Sequence, residues 1–319
     1  MKTLPHKFPL IVLLAFAWAI ATNFSLLKAG DYKPGTRDQP EKKFVVKPGG
    51  LLSFDADLAH GEVETGDYES VRVQFMSYYK VETDEEVEAL QNKISIEMSQ
   101  TENTVKVTVK YADDGKRTDR DKIRLNFKVH IPRKFNLDMR TGGSARVADV
   151  DGTVKASTEG GSLTMENVSG SLTASTKGGS LTIKNVGGDL EARCEGGSAT
   201  IGKVGGRVVA TTEGGSLSIK EAAAAINATV NGGSVTAYLP KSPSSDCKIT
   251  ANGGGIDLRL GESVAVTIDA ACTAGSVMSD FKIAAKKGST NSNQLKGDMN
   301  GGGPVLTLRA TAGSIHLNK

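Results

Sequence analysis

Three cysteines are the first side chains in this sequence that could act as nucleophiles or metal ligands: Cys194, Cys247 and Cys272. A catalytic thiol needs a histidine beside it, and none of the four histidines lies near a cysteine along the chain. The cysteine and histidine spacing also differs from that of a four-ligand zinc site. We therefore predict three buried free thiols, and we assign no catalytic residue and no metal ligand among them.

Carboxylates that recur along the chain could in principle cleave glycosidic bonds. Polysaccharide-cleaving enzymes with a repetitive β fold place several acids, often with arginine or lysine, on one outer face. Here the residues that recur every 18 positions have mixed character: Glu159, Lys177, Glu195, Glu213 and Asn231. Mixed signs are typical of a solvated face with weak ion pairs between neighbouring repeats. We expect no catalytic carboxylate pair on this face.

Hydroxyl side chains form the most regular polar pattern. A serine, any residue and a second hydroxyl residue recur every 18 positions, which places them on one outer face. Charged residues interrupt this face, and serine replaces one threonine throughout, so the pattern differs from the flat Thr-x-Thr ladders that bind ice. Hydroxyl ladders are also common on ordinary sheet surfaces. The predicted binding face comprises Ser162, Thr164, Ser180, Thr182, Ser198, Thr200, Ser234 and Thr236.

The element that must position these residues is an internal repeat. Gly-Gly-Ser recurs at 18-residue intervals from Gly142 to Ser234, and a further glycine recurs near the middle of most intervals. In each half, apolar residues alternate with polar ones, which indicates a strand with one buried face. Glycine turns join the halves, and we expect positive φ angles there. A narrow interior is indicated by a column of alanines: Ala156, Ala174, Ala192, Ala210 and Ala228.

These features predict an all-β fold, a parallel β-solenoid with 18-residue, two-strand coils stacked about 4.8 Å apart. A left-handed hexapeptide helix also has 18 residues per coil, but it needs a six-residue pattern, whereas the glycines here recur about every nine residues. The calcium-binding nonapeptide roll has nine-residue halves but carries aspartate after its glycines. Ser, Thr or Leu stands there in this chain. We therefore predict no calcium and no cofactor.

Domain organisation follows from composition along the chain. Lys2 and Lys7 precede an apolar run that ends in Ala19-Ile20-Ala21, so we interpret residues 1–21 as a signal peptide. The run is short for a membrane-spanning helix, although an uncleaved anchor is the alternative. We interpret residues 22–43 as a linker and residues 44–140 as an N-terminal β cap. Residues 141–319 read as solenoid repeats with a loop near 286–303.

Overall composition narrows the class of partner. Only 5% of residues are aromatic, which suits a thin core, and the formal net charge is +3. The sequence shows no basic stripe, so we expect no nucleic-acid partner. After signal cleavage we expect no transmembrane domain, and the sequence does not indicate an oligomeric state.

Three features together resemble a known family. They are the opening Phe44-Val45-Val46-Lys47-Pro48-Gly49-Gly50, the strand ending at Ile131-Pro132, and the reiterated x-G-G-S-L-x-I-x-x-V-x-G-x-L-x-A-x-T. They are similar to the bacterial putative-adhesin family, which comprises β-strand-repeat proteins of unknown function related in style to auto-transporter adhesin heads. The resemblance covers roughly residues 42–319. It implies an exported β-solenoid and transfers no catalytic residue.

The functional prediction is an exported structural or binding module, adhesin-like and without catalysis. Its location would be the periplasm or the cell surface, and its partner an envelope protein or a glycan. The alternative is a periplasmic or envelope protein that binds a partner in stress signalling or assembly. A glycan-active β-helix enzyme ranks third.

Overall fold

The computed structural model describes residues 32–35, 41–112 and 117–319. The predicted signal peptide and most of the predicted linker lie outside this part of the chain. Its N-terminal elements are β1 (Lys33–Pro34), β2 (Lys42–Val45), β3 (Leu51–Ala56), β4 (Ala59–Gly66), β5 (Ser70–Tyr79), α1 (Asp84–Gln91), β6 (Ile94–Thr101), β7 (Thr104–Tyr111), α2 (Arg117–Arg120), β8 (Ile123–Pro132), β9 (Asn136–Thr141) and β10 (Ala145–Val150).

The regular repeats and the C-terminal part are built entirely from strands and turns. The repeats form β11 (Val154–Thr158), β12 (Leu163–Val168), β13 (Leu172–Thr176), β14 (Leu181–Val186), β15 (Leu190–Cys194), β16 (Ala199–Val204), β17 (Val208–Thr212), β18 (Leu217–Ala222), β19 (Ile226–Val230) and β20 (Val235–Leu239). The remaining strands are β21 (Cys247–Ala251), β22 (Ile256–Leu260), β23 (Val266–Cys272), β24 (Val277–Ser279), β25 (Ala284–Asn291), β26 (Gln294–Met299), β27 (Val305–Ala310) and β28 (Ile315–Asn318).

Two sheets of 14 strands each form the solenoid. The first sheet contains β10, β12 and the other even-numbered repeat strands, and the second contains β9, β11 and the odd-numbered ones. Neighbouring strands are parallel with an 18-residue offset, as in Leu163 opposite Leu181 and Ala174 opposite Ala192. The prediction of a parallel β-solenoid with two-strand coils is therefore confirmed.

The core is a set of apolar columns between the two sheets. The alanine column is 1–3% exposed along its whole length, and the facing leucines, isoleucines and valines are buried as completely. Five consecutive coils present alanine at this place, and dense packing there leaves little room for a larger side chain; the adjoining coils carry Met139 and Ile249 at the same position.

The Gly-Gly turns owe their glycines to close approach between coils rather than to a positive φ angle. A Cβ atom on Gly161 would lie 2.3 Å from the backbone nitrogen of Ser144, and one on Gly179 would lie 2.5 Å from that of Ser162. The glycines with positive φ are Gly49, Gly275, Gly301 and Gly302, which all lie outside the regular repeats. The expectation of positive φ in the repeat turns was therefore wrong.

At the N-terminal end the strand order departs from the chain order. The coil β3–β4 lies between β7–β8 on one side and β9–β10 on the other, and it is parallel to both. Antiparallel strands then close both sheets: β5 pairs with β8, and β6 pairs with β7. Helix α1 begins at a capping box between Thr83 and Glu86 and buries Val87 and Leu90 against Tyr79.

The C-terminal end repeats this arrangement. The coil β27–β28 comes last along the chain but lies between β21–β22 and β23–β24. The loop predicted near 286–303 is instead largely strand, because β25 and β26 form an antiparallel hairpin that pairs with β23. Polar, glycine-containing sequence suits this position, since a strand at the edge of a sheet has little apolar surface to bury.

Candidate binding face

The register of the first sheet brings the predicted threonines together in one column. Thr164 pairs with Thr182, Thr182 with Thr200, and the column continues through Ser218. Successive hydroxyls are therefore one strand spacing apart, about 4.8 Å. We call this column the hydroxyl face, and its members are Thr164, Thr182, Thr200, Ser218 and Thr236.

The neighbouring serine column has a different, structural role. The backbone N–H of Ser162 donates to the Ser144 hydroxyl at 3.1 Å, and that of Ser180 donates to the Ser162 hydroxyl at 3.2 Å. In the same way, the backbone N–H of Ser216 donates to the Ser198 hydroxyl and that of Ser234 donates to the Ser216 hydroxyl, at 3.2 Å each. Ser144, Ser162, Ser198 and Ser216 thus each accept the first amide of the next coil, which is a donor that the turn would otherwise leave unpaired.

A histidine starts this serine column. The Nδ1 atom of His60 accepts the backbone N–H of Ser144 at 3.0 Å, in the place where later coils use a hydroxyl. Burial, aided by the nearby charge of Arg124, lowers the pKa of His60. A neutral ring is required here because a protonated Nδ1 would be a donor facing a donor.

The threonine hydroxyls, in contrast, donate to no protein group in the described part of the chain. Thr164, Thr182 and Thr200 are half-buried, and Thr236 is exposed. A β-branched side chain has a restricted χ1 angle on a sheet, so these hydroxyls occupy few positions and are available to an external partner. Of the predicted site residues, the structure therefore places the threonines on the outer surface. Three of the serines, Ser162, Ser198 and Ser234, accept a backbone N–H from the next coil.

Charged residues flank the hydroxyl face in a fixed arrangement. The Glu166 side chain is only 14% exposed and lies 2.8 Å from Lys184 Nζ and 3.2 Å from Arg146 Nε. The hydrogen bond from Lys184, with a second from Arg146, lowers the pKa of Glu166. Further along the same side, the Arg259 guanidinium lies 5.2 Å from the centre of the Tyr238 ring.

The acids of the second sheet form ion pairs, as the mixed-sign sequence pattern predicts. Glu159 lies 2.6 Å from Lys177 and 3.4 Å from Arg140. The hydrogen bond from Lys177 is the main reason that the pKa of Glu159 is lowered. Glu195 instead pairs with Arg193 of β15, the strand that it directly follows, at 3.1 Å. These carboxylates are each held by a base, which is an arrangement that stabilises their charged form.

The three thiols are buried and free, in agreement with the sequence prediction. Burial raises the pKa of Cys247. In the described residues, no group of three or more histidine, cysteine or acidic side chains converges as a metal site would require. None of the helices in that same part of the chain has the length and apolar character needed to span a bilayer.

One polar column of the first sheet was not predicted from the sequence. Asp149 and Asn167 have φ angles of 59° and 52°, a conformation that these two residue types tolerate better than most. The side-chain amide of Asn167 donates to Asp149 at 2.7 Å, and that of Asn185 donates to Asn167 at 2.7 Å. The signal was available in the sequence as Asp149, Asn167 and Asn185 at 18-residue spacing.

Comparison with known proteins finds similar chains only among solved structures. No family model matches the sequence, and no curated protein matches it. A "putative adhesin" from Bacteroides fragilis is 12% identical, and the match covers 87% of this chain and 95% of that one with a TM-score of 0.39. A "putative cell adhesion protein" from Clostridium sporogenes is 13% identical, with 90% and 99% coverage and a TM-score of 0.22. A "putative lipid binding protein" from Parabacteroides distasonis is 12% identical, with 91% and 98% coverage and a TM-score of 0.30.

These similar structures are bacterial proteins at low identity. Membership of the family that the sequence resembles therefore stays a prediction. What the chain binds has to be argued from its own side chains.

Proposed function

We propose that this chain is an exported, non-catalytic, adhesin-like binding module that presents the hydroxyl face to an envelope glycan. The observation that carries the proposal is the difference between the two hydroxyl columns. The serines are used within the fold, while the threonines donate to no protein group in the described chain and stand on a rigid sheet. A regular row of hydroxyls can exchange hydrogen bonds with a partner over several coils at once.

A partner-binding envelope protein is the second candidate, and the flank of the hydroxyl face favours it. Tyr238 and Arg259 stack on each other at that flank, and the Glu166 cluster lies further along it. Tyrosine and arginine are enriched where proteins contact one another. A protein partner would use these side chains together with the threonines, whereas a glycan would need chiefly the hydroxyls.

Retention experiments with matched variants test the proposal. Purified protein is immobilised and exposed to envelope extract and, separately, to a glycan panel. Thr200→Glu places a charge in the middle of the hydroxyl face, and Thr229→Glu places the same charge on the outer side of the second sheet. We expect Thr200→Glu to reduce retention at least about tenfold and Thr229→Glu to leave it unchanged.

The outcomes separate the candidates. Retention of one envelope protein, without glycan binding, favours the second candidate over the adhesin-like one. Equal retention by both variants contradicts the location of the face. Hydrolysis or elimination of a glycan that is abolished by one carboxylate substitution contradicts the non-catalytic assignment. Protease treatment of whole cells distinguishes the cell surface, where the protein is cleaved, from the periplasm, where it is protected.

A further inference from the structure

A polar recess of about 410 Å³ lies beside the stacked turns at the N-terminal end of the second sheet, away from the hydroxyl face. Three turns form its floor, after β3, β9 and β11, and the short helix α2 contributes one wall. We call it the turn recess, and its lining residues used below are Asp55, Leu58, Asp57, Arg120, Arg140 and Glu159.

Among the described residues, the charges around the turn recess are balanced. Its three carboxylates are faced by Arg120, Arg140 and an adjacent lysine. Lys110 Nζ lies 2.8 Å from Asp55 Oδ2 and 3.5 Å from Asp57 Oδ1, and Arg140 lies 3.4 Å from Glu159. The hydrogen bond that Lys110 donates to Asp55 raises the pKa of Lys110. With three acids and three bases in place, a ligand that carries net charge would meet as much repulsion as attraction.

Among the described residues, two buried polar atoms of the turn recess lack a hydrogen-bond partner. One is an acceptor, Asp55 Oδ1, which lies 4.0 Å from a guanidinium nitrogen of Arg140. The other is a donor, Arg120 Nε, whose guanidinium is held 5.4 Å from the centre of the Tyr111 ring. Buried polar atoms without partners are costly and uncommon, so a group that satisfies both atoms would bind favourably.

We propose that the turn recess binds a neutral saccharide unit. A sugar hydroxyl both donates and accepts, so the hydroxyls of one ring can serve a carboxylate oxygen and a guanidinium N–H together. A simple anion could satisfy only Arg120, and a simple cation only Asp55. The volume lies in the range of small-molecule sites, about 300–1,000 Å³. Leu58 provides an apolar contact for the C–H groups of the ring.

Calorimetric titration with defined sugars tests this site independently of the hydroxyl face. The neutral probes are galactose, N-acetylglucosamine and the β1,4 disaccharide of N-acetylglucosamine. The charged probes are glucuronate and glucosamine. We expect at least one neutral probe to bind, with the charged probes about tenfold weaker or more. Raising the NaCl concentration from 50 to 500 mM should change the affinity for a neutral probe less than about twofold, because screening acts on net charge.

Two variants locate the site. Arg120→Lys keeps the positive charge but removes the Nε donor, and Asp55→Asn keeps one oxygen but removes the carboxylate. Each should weaken binding of the neutral probe roughly tenfold, the loss expected for one hydrogen bond to a charged group. Glu213→Gln, at a carboxylate several coils away that bonds Asn231, is the control and should bind normally. Circular dichroism establishes that every variant is folded.

The proposal is overturned if no neutral probe binds, if a charged probe binds more tightly than the neutral ones, or if both variants bind as well as the unaltered protein. It is supported if neutral binding is present and is lost in either variant while the control retains it. Failure of the Thr200→Glu experiment leaves this result unaffected, because the two sites lie on different sheets.

Discussion

Replacing Thr212 by valine should stabilise the protein, although the same change at neighbouring coils should not. Thr212 is fully buried, and its hydroxyl has no hydrogen-bond partner in the described chain. The equivalent hydroxyls of Thr158 and Thr176 donate to the Gly161 carbonyl at 2.8 and 2.7 Å. The next coil already places a valine, Val230, at this position with no exposure.

The magnitude follows from those contacts. A buried polar group without a partner costs about 1–3 kcal/mol, and a typical intramolecular hydrogen bond contributes about 0.5–1.5 kcal/mol. Thr212→Val removes the cost and adds a buried methyl group, so we expect the unfolding free energy to rise by about 1–2 kcal/mol. Thr158→Val removes a hydrogen bond instead, and we expect a loss of about 1 kcal/mol.

The assay is urea unfolding followed by circular dichroism, with the slope of the transition compared between variants so that a change in midpoint reports stability. Hydrogen exchange of the amides of β17 provides a local readout, because stacked repeats can open coil by coil. A loss of stability in Thr212→Val as large as that in Thr158→Val would refute the reasoning, since it would mean that the Thr212 hydroxyl is satisfied.

Three further predictions concern the core, the thiols and pH. Ala192→Leu should overpack the narrow interior and lower the unfolding free energy by about 1–3 kcal/mol. Thr173→Leu, on the exposed side of β13, should change the unfolding free energy little. Thermal melting of the two variants tests this difference. Cys194, Cys247 and Cys272 should react slowly with a thiol reagent in the folded protein and rapidly in denaturant, because they are at most 6% exposed; rapid labelling of the folded protein would contradict their burial. Because burial lowers the pKa of His60 in the folded state, stability should be full above its unfolded pKa of about 6.5 and should fall as the pH drops below it. His60→Asn retains an acceptor but does not titrate, so the stability of this variant should decline less between pH 7 and 5. Part of the decline in stability should persist because burial also lowers the pKa of His130.

The repetitive part of the fold was predictable because its information is local. Each 18-residue interval contains its own alternation and its own turns, so the register between Thr164 and Thr182 follows from counting. The same counting put the charged column of Glu159 and Lys177 on the surface, where the structure shows the expected ion pair. A periodic sequence therefore specifies both its coils and the faces that they share.

The order of the end coils was not predictable, because it depends on contacts between residues far apart in the chain. Nothing in the spacing of the repeats shows that β3–β4 is stacked against β9–β10, or that β27–β28 lies between β21–β22 and β23–β24. The functional difference between Ser162 and Thr164 was also hidden, since both are hydroxyl residues on the outer surface. They differ in function because a backbone amide of the next coil lies within hydrogen-bonding distance of the Ser162 hydroxyl. The turn recess escaped notice for the same reason, as Asp55, Arg120 and Glu159 meet through folding alone.

The inserted end coils determine how the molecule would respond to tension. In a solenoid whose strand order follows the chain, the terminal coil has neighbours on one side only, and a pulling force can peel it away a few hydrogen bonds at a time. Here β3–β4 and β27–β28 are hydrogen-bonded on both sides. Once the short pairings of β1 and β2 with β5 had opened, a force applied on either side of residues 51–318 would act on the interior of the stack. It would have to slide a coil out from between two others. Rupture then requires many bonds to fail together, which is the mechanical behaviour of a shear-loaded joint.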